Sequence, residues 1–195
     1  MSSFIEYPRH FIAPALLLLL CVVAALLPSN WQTAFIFQRE FACSEPWRLL
    51  SANFLHTNTM HLLLNGAGLA MLTLLFQRDF SPTRFLLLLL TSGLTCTLGI
   101  WAFSPHIDWY VGLSGALHGV FIGGAILDIR RRLLSGWLLL IGVVAKIGWE
   151  QLHGAEQFLA QLIEANVATD AHLYGAFGGL LVCLWQIKNP AEAGS

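Results

Sequence analysis

The sequence predicts an all-α polytopic membrane protein, and three observations support that fold class. Apolar residues make up 56% of the 195 positions and charged residues 11%, whereas soluble domains carry about 25% charged residues. The apolar residues form unbroken runs, which differ from the alternating pattern of transmembrane β-strands. The charged residues cluster between these runs, so each run can cross the bilayer as a helix whose backbone hydrogen bonds are satisfied internally.

Six apolar runs predict six transmembrane helices. We place them at about residues 11–27, 59–76, 85–103, 112–127, 133–149 and 172–187. No small-residue cleavage site follows the first run, so we expect a retained helix and not a signal peptide. Residues 153–171 carry apolar side chains at helical spacing, which predicts a short amphipathic helix lying on the membrane. No internal repeat divides the sequence, so residues 1–195 are expected to form one domain.

Six spans put both ends of the chain on the same side of the membrane. Most basic residues fall on that side, namely Arg9, Arg78, Arg84, Arg130, Arg131, Arg132 and Lys188, against Arg39, Arg48 and Lys146 on the other. Basic residues accumulate in cytoplasmic loops, so we expect both termini to be cytoplasmic. The second, fourth and sixth spans then run from the outside to the inside.

Each of these three spans carries a polar residue near its outer end. His61, Ser114 and His172 lie 14 to 17 residues before the charged inner ends of their spans. At about 1.5 Å per residue this is roughly 21–26 Å, in a hydrocarbon core about 30 Å thick. All three side chains are therefore expected at one depth, about 5–10 Å below the outer surface. Ionisable residues are costly inside a membrane, so their presence indicates a functional site.

Serine and histidine together are typical of acyl transfer. The hydroxyl of Ser114 is a weak nucleophile, and the neutral imidazole of His172 could take its proton during attack. Asp108 and Asp128 lie outside the core at opposite ends of the region. No carboxylate is therefore expected beside His172, and the pattern predicts a Ser–His dyad and not a triad.

An attacked carbonyl becomes an oxyanion, which needs hydrogen-bond donors. His61 and Asn65 are four residues apart and so face the same way on the second span. Both side chains are candidate donors, together with the backbone N–H of Ser114.

The glycines of the fourth span predict a close approach by another helix. Gly115, Gly119 and Gly123 recur every four residues and so form one smooth helical face. Glycine destabilises a helix by about 1 kcal/mol relative to alanine. Its repeated use here indicates that a second backbone must come close.

These residues also have purely structural explanations. A serine in a membrane helix often bonds a carbonyl of its own turn, and His172 could serve helix packing. Gly175 and Gly179 form a GxxxG packing motif, while His61 and Asn65 could make an interhelical hydrogen bond. His61, Ser114 and His172 are all expected at one depth and near the same side of the membrane, which favours the functional explanation.

Other classes of function are disfavoured by the sequence. There is no HExxH motif and no Cys/His cluster, so neither a metal nor another cofactor is expected. The four cysteines are far apart and form no CxxC pair, and those in spans are expected to be apolar filler. No basic patch suits nucleic acid. A transporter would need paired broken helices and a charged path through the bilayer.

Four motifs resemble those of the rhomboid intramembrane serine proteases. Residues 112–115, Gly-Leu-Ser-Gly, look like their GxSG, and residues 171–179 resemble their AHxxGxxxG. Residues 56–65 reproduce their HxxxxHxxxN, and Trp-Arg at 47–48 resembles the Trp-Arg of their first external loop. The motifs occur in the family's order between residues 47 and 179. The resemblance implies a six-transmembrane-helix rhomboid-like bundle.

The resemblance also implies roles for individual residues. Ser114 would be the nucleophile and His172 the general base. The oxyanion site would be formed by His61, Asn65 and the chain at Gly112, Leu113 and Ser114, with Gly115, Gly175, Gly179 and His118 in support. Many rhomboids have a tyrosine stacked on the catalytic histidine at the position of His118. His118 lies one turn below Ser114 on the same face, so we expect its ring to pack against His172.

Residues 47–50 and 112–119 look most like the rhombosortase branch of the family. That branch implies a bacterial inner-membrane protease whose active site opens to the periplasm. Its substrate would be a single-span protein with a C-terminal membrane anchor, cut near a Gly-Gly pair. The alternative is a non-catalytic rhomboid-like protein that binds transmembrane clients. Such relatives usually lack the serine or the histidine, so the presence of both favours the enzyme.

Overall fold

A computed structural model describes residues 8–188, and nearly all of its regular structure is helical. The α-helices are α1 (Ile12–Leu26), α2 (Ser29–Thr33), α3 (Arg48–Ser51), α4 (Thr59–Leu75), α5 (Pro82–Phe103), α6 (Ser114–Arg130), α7 (Leu134–His153), α8 (Gln157–Ile163) and α9 (Thr169–Lys188). Two short strands, β1 (Phe37–Gln38) and β2 (Trp109–Tyr110), form an antiparallel pair. Single 3₁₀ turns occupy Pro8–Phe11, Arg39–Phe41 and Ala52–Phe54.

The six long helices coincide with the six predicted runs. Within the described residues, two helical stretches are long and apolar enough to cross a membrane, Arg9–Leu26 and Pro82–Phe103. A third qualifies if Arg48–Phe54 and Thr59–Leu75, which meet at 90°, are counted as one broken span. The chain is thus a helical membrane protein, and crossing by all six helices stays a prediction. A short helix within 153–171 is confirmed by α8, whereas its lying on the membrane stays a prediction.

Helix α6 lies at the centre of the bundle and packs against α5, α7 and α9. Its glycine face contacts α9 backbone to backbone. A Cβ on Gly175 would lie 1.9 Å from the carbonyl oxygen of Gly115, and one on Gly179 would lie 2.1 Å from that of Gly119. The predicted close approach is therefore confirmed for Gly115 and Gly119, which with Gly175 and Gly179 set the spacing of the two helices, whereas Gly123 faces the Leu88 side chain of α5.

The loop between α1 and α4 is fixed by buried arginine contacts. Arg48 donates hydrogen bonds to the carbonyls of Thr33 and Ile36 and forms an ion pair with Glu45 at 2.6 Å. Arg39 donates to carbonyls near the end of α5 and in the turn that precedes β2. The Trp-Arg motif at 47–48 therefore holds the loop together, and the β1–β2 pair joins this loop to the start of α6.

The opposite end of the bundle holds a second polar cluster. Arg131 forms an ion pair with Asp79 at 2.7 Å, and Asp128 is buried nearby. Burial raises the pKa of the Asp79 carboxyl, an effect opposed by the neighbouring Arg131 guanidinium. Because Asp128 lies fourteen positions along α6 from Ser114, roughly 21 Å at the helical rise, it belongs to this distant end.

The α6–α9 contact generates a stability prediction. We expect Gly175→Ala to lower the free energy of unfolding by about 1–3 kcal/mol or more, because the new methyl group must force the two backbones apart. Gly142→Ala is the matched control, since a Cβ there meets nothing within 4 Å. Thermal unfolding in detergent micelles measures both changes. Equal melting temperatures for the two variants would contradict the close contact.

Candidate active site

Ser114 and His172 meet at the N-terminal ends of the two helices that the glycines hold together. Ser114 is the first residue of α6, and the buried His172 lies in the first turn of α9. The Ser114 hydroxyl and the His172 Nε2 are 3.1 Å apart. The serine is thus bonded to the imidazole, which favours the catalytic explanation of this pair over a packing explanation.

A carboxylate lies beside His172, so the prediction that none would be there is wrong. The Nδ1 of His172 is 2.8 Å from Oε2 of Glu150 on α7. The predicted fifth span ended at 149, whereas α7 continues to His153. That extension brings Glu150 inside the helical bundle, where only 10% of its side chain is exposed.

One feature of the sequence indicates that Glu150 faces the inside of the bundle. Lys146 and Glu150 are four residues apart near the end of an otherwise apolar run, which is the spacing of a helical ion pair. Their side chains are indeed paired, with Nζ and Oε1 separated by 2.7 Å. Charged residues in a membrane helix usually face a partner inside the bundle, so the pair indicated which face of α7 points inward.

His118 stacks on His172, as predicted. The two ring centroids are 4.0 Å apart and the planes are inclined by 19°. Nδ1 of His118 lies 2.7 Å from the carbonyl oxygen of Ser114, and its Nε2 lies 3.1 Å from Nζ of Lys146. A carbonyl only accepts and an ammonium only donates, so the hydrogen of His118 belongs on Nδ1.

His61 and Asn65 lie beside the backbone that leads into Ser114. A Cβ on Gly112 would lie 2.9 Å from Nε2 of His61 and 3.9 Å from Nδ2 of Asn65. Gly112 has φ +129°, a backbone conformation that L side chains rarely adopt. Both this conformation and the close contact with His61 therefore require glycine at this position. The Leu113 side chain is buried in the core, which leaves only its backbone near the site.

The amide of Asn65 is an unused donor. Its Nδ2 is buried and has no hydrogen-bond partner among residues 8–188. Buried polar groups are nearly always bonded in folded proteins. An unpaired donor next to a serine is therefore available to a group that enters the site.

A cavity of about 310 Å³ reaches Ser114 at this end of the bundle. Its walls are His61 and Thr57 on one side, β2 on another, and the chain from the end of α8 at Ile163 to the first turn of α9. Thr57 donates a hydrogen bond of 2.6 Å to the carbonyl of Ile163. The connection before α9 thus lies over the serine and is bonded to the segment that precedes His61.

A sequence model of the Rhomboid domain matches residues 43–189, most of the chain. The chain belongs to the rhomboid family. The resemblance stated from the four motifs is therefore confirmed at the level of the family, and the protein is an integral membrane protein. Its assignment to the rhombosortase branch stays a prediction.

Three curated relatives are similar to this rhomboid. It is 28% identical over 141 residues to "Putative rhomboid protease YdcA" of Bacillus subtilis, a match covering 72% of this chain and 67% of the relative. It is 31% identical over 121 residues to RHOMBOID-like protein 4 of Arabidopsis thaliana, covering 58% of this chain and 30% of the relative. It is 28% identical over 144 residues to Rhomboid protease GluP of Bacillus subtilis, covering 71% of this chain and 25% of the relative. The chain thus spans less than a third of the latter two proteins.

His56 of this rhomboid is partly buried. Both of its ring nitrogens are inaccessible and lack a partner in the described part of the chain. Its ring meets that of His61 edge to face, with centroids 5.0 Å apart. His106 and His153, by contrast, are exposed. His56 therefore supports the ring of His61 by packing.

Three side chains of the site have the chemistry of metal ligands. The candidate ligand atoms of His118, Glu150 and His172 lie within 4.8 Å of one another. The Lys146 ammonium contacts two of the three, so a metal ion would have to displace that group. The sequence offered no sign of this cluster because its members come from three different helices. The expectation that no metal is bound stays a prediction.

The stacking of His118 generates a prediction about activity. We expect His118→Tyr to retain activity within about tenfold of the unaltered protein, because a phenol ring can still stack on His172, and His118→Ala to lose more. The rate at which a fluorophosphonate probe labels Ser114 measures this without a substrate. Equal loss in both variants, or no loss in either, would contradict a stacking role.

Proposed function

We propose that this protein is an intramembrane serine protease with Ser114 as nucleophile and His172 as general base. The observation that carries the proposal is the 3.1 Å contact between the serine hydroxyl and Nε2 of His172 at the mouth of the cavity. Membership of the rhomboid family supports protease activity, and two of the relatives are named as rhomboid proteases. Rhomboid proteases act on membrane proteins within the bilayer.

The reaction follows from these groups. Oγ of Ser114 attacks the substrate carbonyl while Nε2 of His172 takes its proton. The tetrahedral intermediate collapses, and the imidazolium gives that proton to the leaving amine. A water molecule then attacks the acyl-enzyme with the same imidazole as base, which releases the acid and restores the serine.

The negative charge on the carbonyl oxygen needs donors in a site that excludes water. The Asn65 amide is suited to this role because it is buried and unpaired. His61 stands beside it at Gly112, and the Ser114 N–H at the start of α6 has no carbonyl of its own helix to bond. These three donors come from two helices, α4 and α6, that meet at Gly112.

We further propose that all six long helices cross the membrane of a bacterial cell, with both termini cytoplasmic and the serine near the periplasmic face. Support comes from the basic cluster at the Arg130 end of α6, because basic residues favour the cytoplasmic side. The serine lies at the other end of the same helix.

The proposed substrate is a single-span protein with its bulk outside, a C-terminal anchor and a Gly-Gly pair at the outer end of that anchor. Carbonyls in a stable helix are bonded four residues on, so the substrate must unwind before attack. Glycine makes unwinding easier by about 1 kcal/mol per residue relative to alanine. Glycines also bring no side chain against the crowded backbone at Gly112 and Gly115.

The nucleophile is tested by Ser114→Ala. We expect this variant to lose both probe labelling and cleavage of an anchored substrate, while its melting temperature stays within a few degrees of that of the unaltered protein. His172→Ala should be equally inactive. Cleavage by a folded Ser114→Ala protein would exclude the proposed mechanism, and a protein that binds clients but never labels or cleaves would be the non-catalytic alternative.

The substrate is tested by co-expression with a reporter that ends in a Gly-Gly pair and one membrane anchor. We expect release of the reporter from the membrane fraction, dependent on Ser114. Replacing the pair with Leu-Leu should block release and leave membrane insertion intact. Release of the Leu-Leu reporter at the same rate would contradict both the unwinding argument and the rhombosortase-like preference.

A further inference from the structure

We propose that Glu150 is a positioning residue for His172, so that the proposed protease works with a Ser114–His172–Glu150 triad and not with a dyad. This inference rests on the proposed function of Ser114 and His172. It concerns a group on a third helix, α7, that contacts neither the cavity nor the serine.

Both oxygens of Glu150 are engaged in the bundle. Oε2 is 2.8 Å from Nδ1 of His172, and Oε1 is 2.7 Å from Nζ of Lys146. The ammonium favours the ionised form of the carboxylate, and an ionised carboxylate only accepts hydrogen bonds. The hydrogen of the neutral His172 imidazole therefore belongs on Nδ1.

The position of that hydrogen decides whether His172 can act as a base. With Nδ1 protonated, Nε2 presents its lone pair to the Ser114 hydroxyl, 3.1 Å away. The other tautomer would present an N–H to the serine and could not take its proton. Glu150 thus selects the tautomer that the reaction needs, and it holds the ring plane against which His118 stacks.

The same contact becomes stronger during the reaction. When His172 takes the serine proton it becomes an imidazolium, and a carboxylate at 2.8 Å stabilises that charge. His172 is only 4% exposed, so little water is available to do so instead. The Lys146 ammonium disfavours an imidazolium at His172 by charge repulsion. Its Nζ, however, contacts the other carboxylate oxygen, Oε1, and the lysine side chain is partly exposed.

A simpler explanation must be separated from this one. Glu150 could serve only to neutralise Lys146, one turn away on the same helix. In that case removing both charges together would leave the reaction intact. If Glu150 positions His172, removing both charges would leave His172 without the group that selects its tautomer, and the reaction would stay slow.

The test uses the full-length protein in detergent and in lipid vesicles, with four variants. These are Glu150→Gln, Lys146→Met, the double variant of the two, and Glu156→Gln. The last makes the same chemical change at an exposed carboxylate preceding α8. The readouts are the rate of fluorophosphonate labelling, kcat and KM on an anchored reporter, and the melting temperature.

We expect Glu150→Gln to slow labelling and lower kcat by about 10²- to 10⁴-fold, where the upper bound is the loss seen when the aspartate of a serine triad is made an amide. KM should change by less than about threefold, because the group does not touch substrate. Glu156→Gln should match the unaltered protein. The double variant leaves no unpaired ammonium in the bundle, so a loss of activity in it does not come from misfolding around an unpaired Lys146. Its labelling rate should stay as low as that of Glu150→Gln.

Two results would overturn the inference. One is labelling by Glu150→Gln within about threefold of the unaltered rate. The other is recovery of the double variant to the rate of Lys146→Met, which would reduce Glu150 to a counter-ion. Either result leaves the proposed function standing if Ser114→Ala is inactive. A Ser114→Ala protein that still cleaves would instead remove the proposed function itself.

Discussion

The contact between the backbones of α6 and α9 is the constraint on which the rest of the site depends. Lipid tails supply no hydrophobic drive for helix association, so transmembrane helices associate through close packing of small residues. Here Gly115 and Gly119 face Gly175 and Gly179 at distances that no Cβ would allow. Ser114 immediately precedes the first of these glycines, and His172 lies one turn before Gly175. The packing motif and the functional pair are therefore parts of one arrangement, in which close approach of the helices sets the distance from hydroxyl to imidazole.

Polar side chains join α7 to this pair of helices. Lys146 on α7 contacts both His118 on α6 and Glu150 on its own helix. Glu150 in turn contacts His172 on α9, whose ring stacks on that of His118. Buried ionisable groups are costly in a membrane unless they are paired, and each of these four groups has a partner among the other three. Glycine packing thus sets the distance between α6 and α9, while the polar contacts set the rotation of α7 and the orientation of the imidazole.

A third set of contacts positions the opposite wall of the site. Thr57 and Asn58 bond the carbonyls at the end of α8 and lead directly into His61 at the start of α4. The partly buried ring of His56 packs edge to face against the ring of His61. The side chains of His61 and Asn65, the two candidate oxyanion donors of α4, are therefore positioned by the loops that precede α4 and α9 and not by the Ser114–His172 contact. The cavity lies where these two parts meet.

The sequence by itself determined the features that depend on local pattern. Hydropathy located the six long helices, helical rise predicted one depth for Ser114 and His172, and the spacing of four residues predicted that His118 would stack on His172. Only the tertiary structure decided that Glu150 reaches His172 and that the ring nitrogens of His56 are buried. The end of α7 beyond 149 and its rotation about its own axis are set by contacts with α6 and α9. An apolar run specifies that a helix forms, but in a bilayer many rotations of that helix are equally apolar, so packing against its neighbours selects one.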